Sequence, residues 1–252
     1  MTQYPTSGQH CSSTFSESEL ITQVFDETAV RFGCAIDKGI QKGRYLRGEL
    51  FVNAAVDRVE PGSFIMDYGC GPGRISLMLA RKGFRVLGVD PSPAMIATAR
   101  QQPIDALDIE FRVSPACPGD LPKVPYAAIV CSSVIEYIPE PEQLLRWFSA
   151  ALRPSGILII SFANSHSICG AWYRLRHTSA FRTAQRHVWS WPQFRRLLER
   201  GSFAPEGRPV YFESPLDRFG VLQAVAASPC GGTLGMAVAR RGRVHRPGAL
   251  KG

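Results

Sequence analysis

The stretch Phe64–Arg74 reads FIMDYGCGPGR and decides the fold class of this chain. Five residues typical of a buried strand lead directly into a Gly-x-Gly-x-Gly turn, and a segment with helical spacing follows. Glycines let such a turn bend sharply and lie close to a ligand, because no Cβ atom intrudes. Open α/β sheets bind their ligands at this place, the carboxyl end of a first strand. We therefore predict a ligand-binding glycine loop at residues 69–73.

Two acidic residues accompany the glycine loop. Asp67 stands just before the turn, and Asp90 ends the next predicted strand, seventeen residues past Gly73. A carboxylate at the tip of a second strand can accept hydrogen bonds from both hydroxyls of a ribose. A carboxylate at position 67 can face a cationic amine. The loop and the two acids together predict a ligand that contains a nucleoside.

The dinucleotide fingerprint of dehydrogenases is the natural rival. That fingerprint is Gly-x-Gly-x-x-Gly, and its last glycine packs the helix against the strand. Here Arg74 occupies the last position, and the third glycine arrives one residue early. A pyrophosphate at a helix N-terminus also does not require Asp67. The spacing therefore argues against a nicotinamide or flavin dinucleotide.

Strands and helices alternate along the chain around this loop. Strands are predicted at residues 64–68, 85–89, 109–113, 127–132 and 157–162, and two late strands near 209–213 and 233–240 could close the sheet. The near-continuous apolar runs among them indicate strands that are buried on both faces. Helical spacing of apolar residues predicts helices at 18–32, 44–59, 75–82, 93–101, 140–152 and 191–200. This alternation predicts an α/β fold, Rossmann-like and doubly wound, with a seven-stranded, mostly parallel sheet.

The predicted organisation is one domain between two tails. Residues 1–16 are polar and are expected to form a mobile tail, and residues 241–252 form a basic tail. The single domain spans 17–240. It begins with an N-terminal helical segment at 17–60 and carries a lid or substrate-binding insertion at 164–190, after the fifth strand. The lid is rich in aromatic and basic residues, which suits a flat or apolar substrate.

The glycine loop and the strand end Gly88–Ser92 resemble the first two motifs of class I S-adenosylmethionine-dependent methyltransferases. Ile129–Pro139 resembles the fourth motif of the ubiquinone-biosynthesis-like, small-molecule branch, and Leu152–Gly156 and His187–Phe203 resemble its later segments. The resemblance covers roughly residues 44–240. It implies S-adenosyl-L-methionine as cofactor and a small-molecule acceptor. The expected acceptor atom is an oxygen of a secondary metabolite, a quinone-like compound or a sugar.

The resemblance also assigns cofactor-binding roles position by position. Asp67 and the loop residues would hold the methionine part of the cofactor, and Asp90 would bind the ribose. Tyr45 and Arg47 are candidates for the cofactor carboxylate, although a helix surface is the simpler interpretation of each. The other implied cofactor residues lie in the loop, on the adenine side and after the fourth strand: Gly69, Cys70, Gly71, Gly73, Pro91, Ser92, Met95, Ser114, Ser132 and Ser133.

Two departures from the family pattern leave questions open. The family often has an acid after the third strand, whereas Val113–Cys117 contains none, so Ser114 or backbone groups are expected to recognise adenine. The family's common histidine after the fourth strand is Tyr137 here. The candidates for a catalytic role are therefore Tyr137, which could orient the substrate, and His166 and His187 in the predicted lid.

The charge of the chain and one short motif bear on which functional classes remain possible. The chain carries a net charge of +8, and residues 143–252 hold 16 basic against 4 acidic residues. A basic surface attracts anionic partners, so the C-terminal half could contact nucleic acid or the surface of a membrane. The stretch Cys131–Val134 lacks the Asn/Asp-Pro-Pro-Tyr pattern of base-modifying enzymes of this fold, which argues against nucleic acid. A nucleic-acid methyltransferase and a non-catalytic cofactor-binding protein remain the alternatives.

The sequence also shapes expectations about metal, membrane and compartment. The seven cysteines include no CxxC pair, so no metal site or disulfide framework is indicated, which fits a reducing cytoplasm. No uninterrupted apolar run of about 18 residues occurs, so no membrane span is expected. We expect a cytoplasmic enzyme.

Overall fold

The computed structural model describes residues 22, 23, 25–27, 42–114, 125–168, 170, 171, 184–213 and 227–242. Its helices are α1 (Lys42–Val56), α2 (Arg74–Arg81), α3 (Pro93–Arg100), α4 (Pro141–Ala151) and α5 (Trp191–Arg200), with a 3-10 helix at Ile135–Tyr137. Its strands are β1 (Phe64–Tyr68), β2 (Arg85–Asp90), β3 (Ile109–Val113), β4 (Tyr126–Cys131), β5 (Leu152–Ala163), β6 (Phe203–Pro205), β7 (Val210–Phe212) and β8 (Leu234–Arg241).

One eight-stranded sheet organises these elements, in the order β3-β2-β1-β4-β5-β8-β6, with β7 also paired to β8. The strands β1 to β5 pair in parallel, and β8 is antiparallel to β5. The predicted Rossmann-like, mostly parallel sheet is therefore confirmed. The additional strand is Phe203–Pro205, which is too short for an alternation of apolar and polar residues to reveal it.

The central strands are mainly apolar because the sheet is covered on both faces. Along β5, Leu158, Ile160 and Phe162 join one core cluster, with residues of α4 and α5. The alternate residues Ile157 and Ile159 join a second cluster on the other face, with residues of α1 and α2. A strand places successive side chains on opposite faces, so both faces of β5 need apolar residues. The doubly wound architecture follows from this pattern.

The last strands bring the chain back to the edge where the glycine loop lies. β8 runs antiparallel to β5, and β7 runs antiparallel to β8, with Phe212 opposite Leu234 and Leu234 opposite Ala163. Two reversals restore the direction of the parallel strands. Consequently Glu213, directly after β7, lies at the same sheet edge as the carboxyl end of β5.

The Pro154-Ser155-Gly156 segment differs from the prediction. The sequence indicated a turn before a strand that starts at Ile157, whereas β5 begins at Leu152. Leu152 pairs with Tyr126 and pairing then resumes at Ile157 with Ala128, so the register shifts between these two pairs. The turn residues therefore form a bulge inside one strand, which a periodicity of two cannot distinguish from a strand end.

Other boundaries and segments compare as follows. α1 ends at Val56, before the predicted end at residue 59, and the remaining helices agree with the predictions within two residues. Residues 22, 23 and 25–27 are helical, and the rest of the predicted helix 18–32 lies outside the described residues, as do both predicted tails apart from Arg241 and Gly242. In the described part of the chain, no helix is both long and apolar enough to cross a membrane.

Candidate active site

The glycine loop at residues 69–73 depends on three left-handed backbone conformations. The φ angles are 72° at Gly69, 52° at Gly71 and 80° at Gly73. Residues with a Cβ atom rarely adopt such angles, so the loop path favours glycine at each position. At Gly73 packing adds a second requirement, because a Cβ atom would lie 2.6 Å from Cζ of Phe111. The first strand can therefore turn into α2 only through this composition.

The other two loop glycines face different surroundings. A Cβ atom added at Gly69 would lie 2.2 Å from Cγ2 of Val134, so this glycine allows the segment after β4 to pack on the loop. A Cβ atom added at Gly71 would have only Sδ of Met95 nearby, at 3.9 Å. The backbone of Gly71 thus borders open space on the side where a ligand would lie.

Asp90 ends β2 with its carboxylate turned toward the glycine loop. The amide of Gly71 donates a hydrogen bond to Oδ2 at 2.8 Å, and the amide of Ser92 donates to Oδ1 at 2.9 Å. Burial raises the pKa of Asp90 to about 6, while these two amide donors act in the opposite direction. A carboxylate offers about four acceptor positions, so two remain for further donors such as hydroxyls.

Asp67 is the most enclosed acid of the site, with 1 % of its surface exposed. The hydroxyl of Ser76, in the first turn of α2, donates to its Oδ2 at 2.5 Å. Burial raises the pKa of Asp67 to about 6. The contact ties α2 to β1 directly beneath the loop, and the contact of Asp67 with a cationic amine stays a prediction.

Ser92 caps α3 and joins a residue from the N-terminal part of the chain. The amide of Met95 donates to Oγ of Ser92 at 3.0 Å, so Ser92 is the N-cap of α3. Oγ of Ser92 in turn donates to Oδ1 of Asp26, which also accepts from the amide of Ala94 at 3.4 Å. Asp26 therefore lies beside the predicted adenine and ribose side of the site.

The remaining predicted adenine-side residues gather around the tip of β2. The amide of Ser114 donates to the backbone carbonyl of Asp90 at 3.1 Å. Met95 and Ser114 are buried, and Pro91 is half-buried. Cys70 is also buried and packs with Ile96, Ala99 and Phe111, and burial raises the pKa of its thiol. Only the backbone of Cys70 is therefore placed to border a ligand.

The two serines after β4 are held differently. Ser133 has a φ angle of 55°, and its amide donates to Oγ of Ser161 in β5 at 2.7 Å. Oγ of Ser132 is buried and has no hydrogen-bond partner among the residues that the structure describes. A buried hydroxyl without a partner is unusual in a finished core and indicates a place for a ligand.

Arg47 crosses from α1 to the segment after β4. Its guanidinium donates to Oγ of Ser133 at 2.9 Å and forms an ion pair with Glu213. Both partners have positive φ angles, 55° for Ser133 and 57° for Glu213. Such conformations cost about 1–2 kcal/mol each and concentrate at functional sites. Arg47 thus holds two strained residues in place, while the side chain of its neighbour Tyr45 lies outside the described residues.

Glu136 lies in the 3-10 helix, with 3 % of its surface exposed. Its carboxylate Oε2 is buried and has no hydrogen-bond partner in the described part of the chain. Burial raises the pKa of Glu136 to about 7; the Arg47 charge acts against this rise, and the Glu213 charge adds to it. The backbone carbonyl of Glu136 accepts from the amides of Arg186 and His187, which fixes the helix.

Tyr137 follows Glu136 and meets the N-terminal helical residues. Its ring contacts the ring of Phe25 edge to face, with centroids 5.4 Å apart. Burial raises the pKa of Tyr137 above its usual value. Phe25 and Asp26 therefore connect the Tyr137 side of the site with the Ser92 side.

The two predicted catalytic histidines occupy different places. Nε2 of His187 lies 3.1 Å from the carbonyl of Ile138, so this nitrogen carries the proton of a hydrogen bond, and the ring stacks on Trp189 at 5.1 Å. His166 is exposed, and its backbone amide donates to Oδ1 of Asn164. The structure brings His187 against the 3-10 helix and does not bring His166 into contact with the site residues above.

The described end of the predicted lid runs along β5. The amide of Trp189 donates to the carbonyl of Ala163, and the amide of Ser165 donates to the carbonyl of Trp189. A groove of about 370 Å³ lies beside it, lined by Val188, Trp189, Gln193, Arg196 and Arg200. This groove mixes basic, aromatic and apolar residues, and three of its five lining residues belong to α5 rather than to the predicted lid.

Sequence reasoning missed three acidic residues of the site. Glu136 interrupts the apolar run Ile135–Ile138, and an acid in such a run is a signal that could have been found. Asp26 and Glu213 lie far from the motifs in sequence and reach the site only through tertiary folding. No local sequence pattern indicates that Asp26 and Glu213 belong to the site.

The arrangement fits the cofactor that the sequence predicts. Gly71 presents a face that a Cβ atom would fill, Asp90 keeps free acceptor positions beside it, and Ser132 offers a buried hydroxyl without a described partner. These features surround the carboxyl ends of β1, β2 and β4. When bound, S-adenosylmethionine supplies a methyl group on a sulfonium that leaves as a neutral thioether.

Comparisons with known proteins agree with this geometry. Residues 42–205 match the family described as "Methyltransferase domain". The ubiquinone biosynthesis O-methyltransferase of Xanthomonas campestris pv. campestris (strain B100) is 29 % identical over 164 residues, which cover 62 % of this chain and 65 % of that protein. The chain thus spans slightly less than two thirds of the length of this curated relative.

Solved structures share the fold at low sequence identity. The magnesium protoporphyrin IX methyltransferase of Synechocystis PCC 6803 with bound SAM has a TM-score of 0.66 and 18 % identity, covering 91 % of this chain and 99 % of that one. The [4+2]-cyclase SpnF has a TM-score of 0.65 and 17 % identity, covering 89 % of this chain and 97 % of that one. The fold alone therefore does not fix the reaction. The family match over residues 42–205, with the glycine loop and Asp90 inside it, does show the family: the chain belongs to the class I S-adenosylmethionine-dependent methyltransferases.

Proposed function

We propose that this chain transfers a methyl group from S-adenosylmethionine to an oxygen atom of a small molecule. The observation that carries the proposal is the Asp90 carboxylate, which accepts the Gly71 amide and keeps two acceptor positions free beside the open face of that glycine. The ribose hydroxyls would occupy these positions. Asp67, Ser132, Ser133 and Arg47 would surround the methionine part, and Pro91, Met95 and Ser114 the adenine.

The choice of oxygen in a small acceptor rests on two supports. The curated relative is an O-methyltransferase of ubiquinone biosynthesis and is 29 % identical to this chain over 164 residues. The segment after β4 also carries a buried acid, Glu136, which an oxygen acceptor can use. A neutral thioether leaving group requires no anion stabilisation, so positioning of the acceptor within about 3 Å of the methyl carbon does most of the work.

The basic C-terminal half could instead serve a nucleic-acid substrate. Two ion pairs argue against that interpretation for α5, because Arg195 pairs with Glu199 and Arg200 pairs with Glu142. Paired arginines leave less charge for phosphates than the sequence count suggests. Retention of the chain on immobilised RNA at 50 mM salt that disappears at about 200 mM, together with methylation of that RNA, would favour the nucleic-acid alternative instead.

The proposal is tested first by titration calorimetry with S-adenosylmethionine. We expect Asp90→Asn to weaken binding by roughly 100-fold, since two charge-assisted hydrogen bonds to the ribose are lost. Asp90→Ala would weaken binding at least as much, but it also leaves the amides of Gly71 and Ser92 without an acceptor, so we expect lower thermal stability in that variant. Asp105→Ala, an exposed site, is the matched control.

A transfer screen then tests the acceptor class. Hydroxylated aromatic compounds, quinols, sugars and RNA are incubated with methyl-labelled cofactor, and labelled products are counted. We expect label in an oxygen-bearing small molecule and none in RNA. Unchanged affinity in Asp90→Asn, or cofactor binding without transfer to any acceptor, would contradict the proposal and favour a non-catalytic protein.

A further inference from the structure

One oxygen of the buried Glu136 carboxylate is left without a partner by the fold. The carboxylate bonds the backbone amide of its own residue, but its Oε2 has no hydrogen-bond partner among the described residues. Arg47, whose charge lowers the pKa of Glu136, is already bonded to Glu213 and Ser133. Two carboxylates, Glu136 and Glu213, thus share one guanidinium. An ionised carboxylate in such surroundings costs several kcal/mol unless another group compensates it.

Neighbouring groups place this carboxylate at the reacting end of the site. Val134, two residues earlier, packs against the glycine loop so closely that Gly69 cannot carry a Cβ atom. Cys131 ends β4, beside β1, which carries Asp67, and the 3-10 helix with Glu136 starts four residues later. Burial raises the pKa of the Cys131 thiol, and the charges of Glu136 and Asp67 raise it further. Glu136 is therefore adjacent to the segment that would hold the methionine part of the cofactor.

Two side chains beside the 3-10 helix are the other candidates for a proton acceptor. His187 donates from Nε2 to the carbonyl of Ile138 and stacks on Trp189, so its acceptor nitrogen would be Nδ1. The pKa of Tyr137 is raised by burial and by the charge of Glu136, so its hydroxyl stays protonated. The charges of Arg47 and Glu213 act on the pKa of Glu136, and the charge of Glu136 in turn raises the pKa values of Tyr137 and Cys131.

We propose that Glu136 is the general base of the reaction: its unpartnered oxygen accepts the proton of the acceptor hydroxyl. The assignment rests on the proposed function. The acceptor oxygen forms a bond to the methyl carbon while the carbon–sulfur bond breaks, the electron pair remains on sulfur, and the hydroxyl proton moves to Glu136. The protonated carboxyl then returns that proton to water when the product leaves.

The electrostatics of Glu136 suit this role. The pKa of Glu136, about 7 because of burial, allows the carboxylate both to take a proton and to release it near neutral pH. A sulfonium beside it would favour the ionised form, and the neutral thioether left after transfer would not. The carboxylate is therefore ionised when the methyl donor is bound, and it takes up a proton as the methyl group is transferred.

A binding experiment tests the assignment without turnover. Titration calorimetry at pH 7, in two buffers of different ionisation enthalpy, gives the protons released when S-adenosylmethionine or S-adenosylhomocysteine binds. The sulfonium charge should lower the pKa of Glu136, and a decrease of one unit at pH 7 releases roughly 0.4 proton. We expect this extra release with S-adenosylmethionine in the wild type and in Glu140→Gln, an exposed control nearby, but not in Glu136→Gln.

The outcomes of that experiment separate the two proposals. A wild type that binds neither compound overturns the proposed function, and the role of Glu136 with it. Binding of both compounds with equal proton release, or an extra release that persists in Glu136→Gln, overturns the role of Glu136 alone. Thermal unfolding checks the fold: removal of an uncompensated buried charge should leave the melting temperature of Glu136→Gln unchanged or higher, whereas a structural role would lower it.

Turnover of the acceptor found in the transfer screen completes the test. We expect Glu136→Gln to lower kcat at least 100-fold at pH 7, with KM changed less than about threefold, and to remove the rise of kcat between pH 6 and 8. Glu140→Gln should retain the wild-type profile. A Glu136→Gln variant that keeps the wild-type pH profile contradicts the assignment.

Discussion

Two buried carboxylates, Asp90 and Glu136, stand on opposite sides of the site and are treated differently by the fold. Asp90 accepts two backbone amides and sits where the glycine loop opens. Glu136 is still more enclosed, yet one of its oxygens has no partner among the described residues. The Asp90 side is completed by the backbone of the protein itself, whereas the Glu136 side is not.

This difference separates what the family shares from what the individual chain does. Hydrogen bonds from backbone amides depend on strand and loop geometry, so any chain of this fold can supply them at the end of β2. An unpartnered side chain depends on the particular residue and has a cost that only a ligand or a reaction can offset. We therefore expect changes on the Asp90 side to affect cofactor affinity and changes on the Glu136 side to affect the transfer step.

The largest expected effect comes from a matched pair of glycine variants. Gly69→Ala and Gly71→Ala add the same atom at similar backbone angles, but only the first would meet Val134, at 2.2 Å. We expect Gly69→Ala to lower the free energy of unfolding by at least about 3 kcal/mol, because overpacking adds to the strain of a left-handed residue.

Gly71→Ala should affect cofactor binding more than it affects stability. We expect Gly71→Ala to lose about 1–2 kcal/mol of stability through strain alone, and to weaken S-adenosylmethionine binding by at least tenfold. Urea unfolding and titration calorimetry measure the two effects. Equal destabilisation of both variants, with equal cofactor affinity, would remove the distinction between a packing glycine and a ligand-facing glycine.

A smaller effect is expected on the way the free energy of unfolding changes with pH, and Glu136 is its source. The pKa of Glu136 in the folded chain, about 7, is above the ordinary value of 4.5, so the folded chain holds a proton that the unfolded chain releases. This stabilising contribution is complete below about pH 4.5 and is lost as the pH rises through 7. We expect the free energy of unfolding of Glu136→Gln, relative to that of the wild type, to rise by roughly 2 kcal/mol as the pH increases from 5 to 7.5.

Urea unfolding at several pH values measures that difference, with Glu140→Gln as the reference. Asp67 and Asp90, whose pKa values are raised to about 6, change the pH dependence of the unfolding free energy equally in both proteins. Their effect therefore cancels in the difference between Glu136→Gln and the wild type. A constant difference between Glu136→Gln and the wild type across this range would show that Glu136 is not the titrating group.

The smallest effect is expected on the way cofactor affinity changes with pH, and Asp90 is its source. Ribose hydroxyls should bind the ionised carboxylate, and the pKa of Asp90 is about 6. We expect affinity for S-adenosylhomocysteine, which carries no sulfonium charge, to fall about tenfold from pH 7 to pH 5. Calorimetry with Asp90→Asn should show no such change, and a wild type with constant affinity would refute the ionisation step.

Much of the fold was predictable because its information is local. Strands β1 and β3 and helix α5 begin and end where the apolar pattern predicts, since each is bounded by turn residues or a capping serine. Strand β6 and the bulge in β5 were not predictable, because both depend on pairing with strands that are remote in sequence. The glycine loop and Asp90 were found for the same local reason.

The other half of the site was only partly predictable. The predicted residues Ser133 and Arg47 do meet, and sequence reasoning chose them through family resemblance. Glu213 reaches Arg47 across 166 positions, and two reversals of strand direction are needed to bring it there. His187 was chosen for its chemistry, yet its ring nitrogen is engaged by a carbonyl, a contact that composition cannot reveal. The predicted roles of these residues remain predictions.

The contacts of Phe25 and Asp26 have a practical consequence. The family match begins at residue 42, so both side chains lie outside the region that the family has in common, yet one touches Tyr137 and the other holds Ser92. A protein shortened to the matched region would keep the glycine loop and Asp90 but lose these two contacts. Binding constants and acceptor preferences measured on such a fragment would describe a site without the side chains that this chain places against Tyr137 and Ser92.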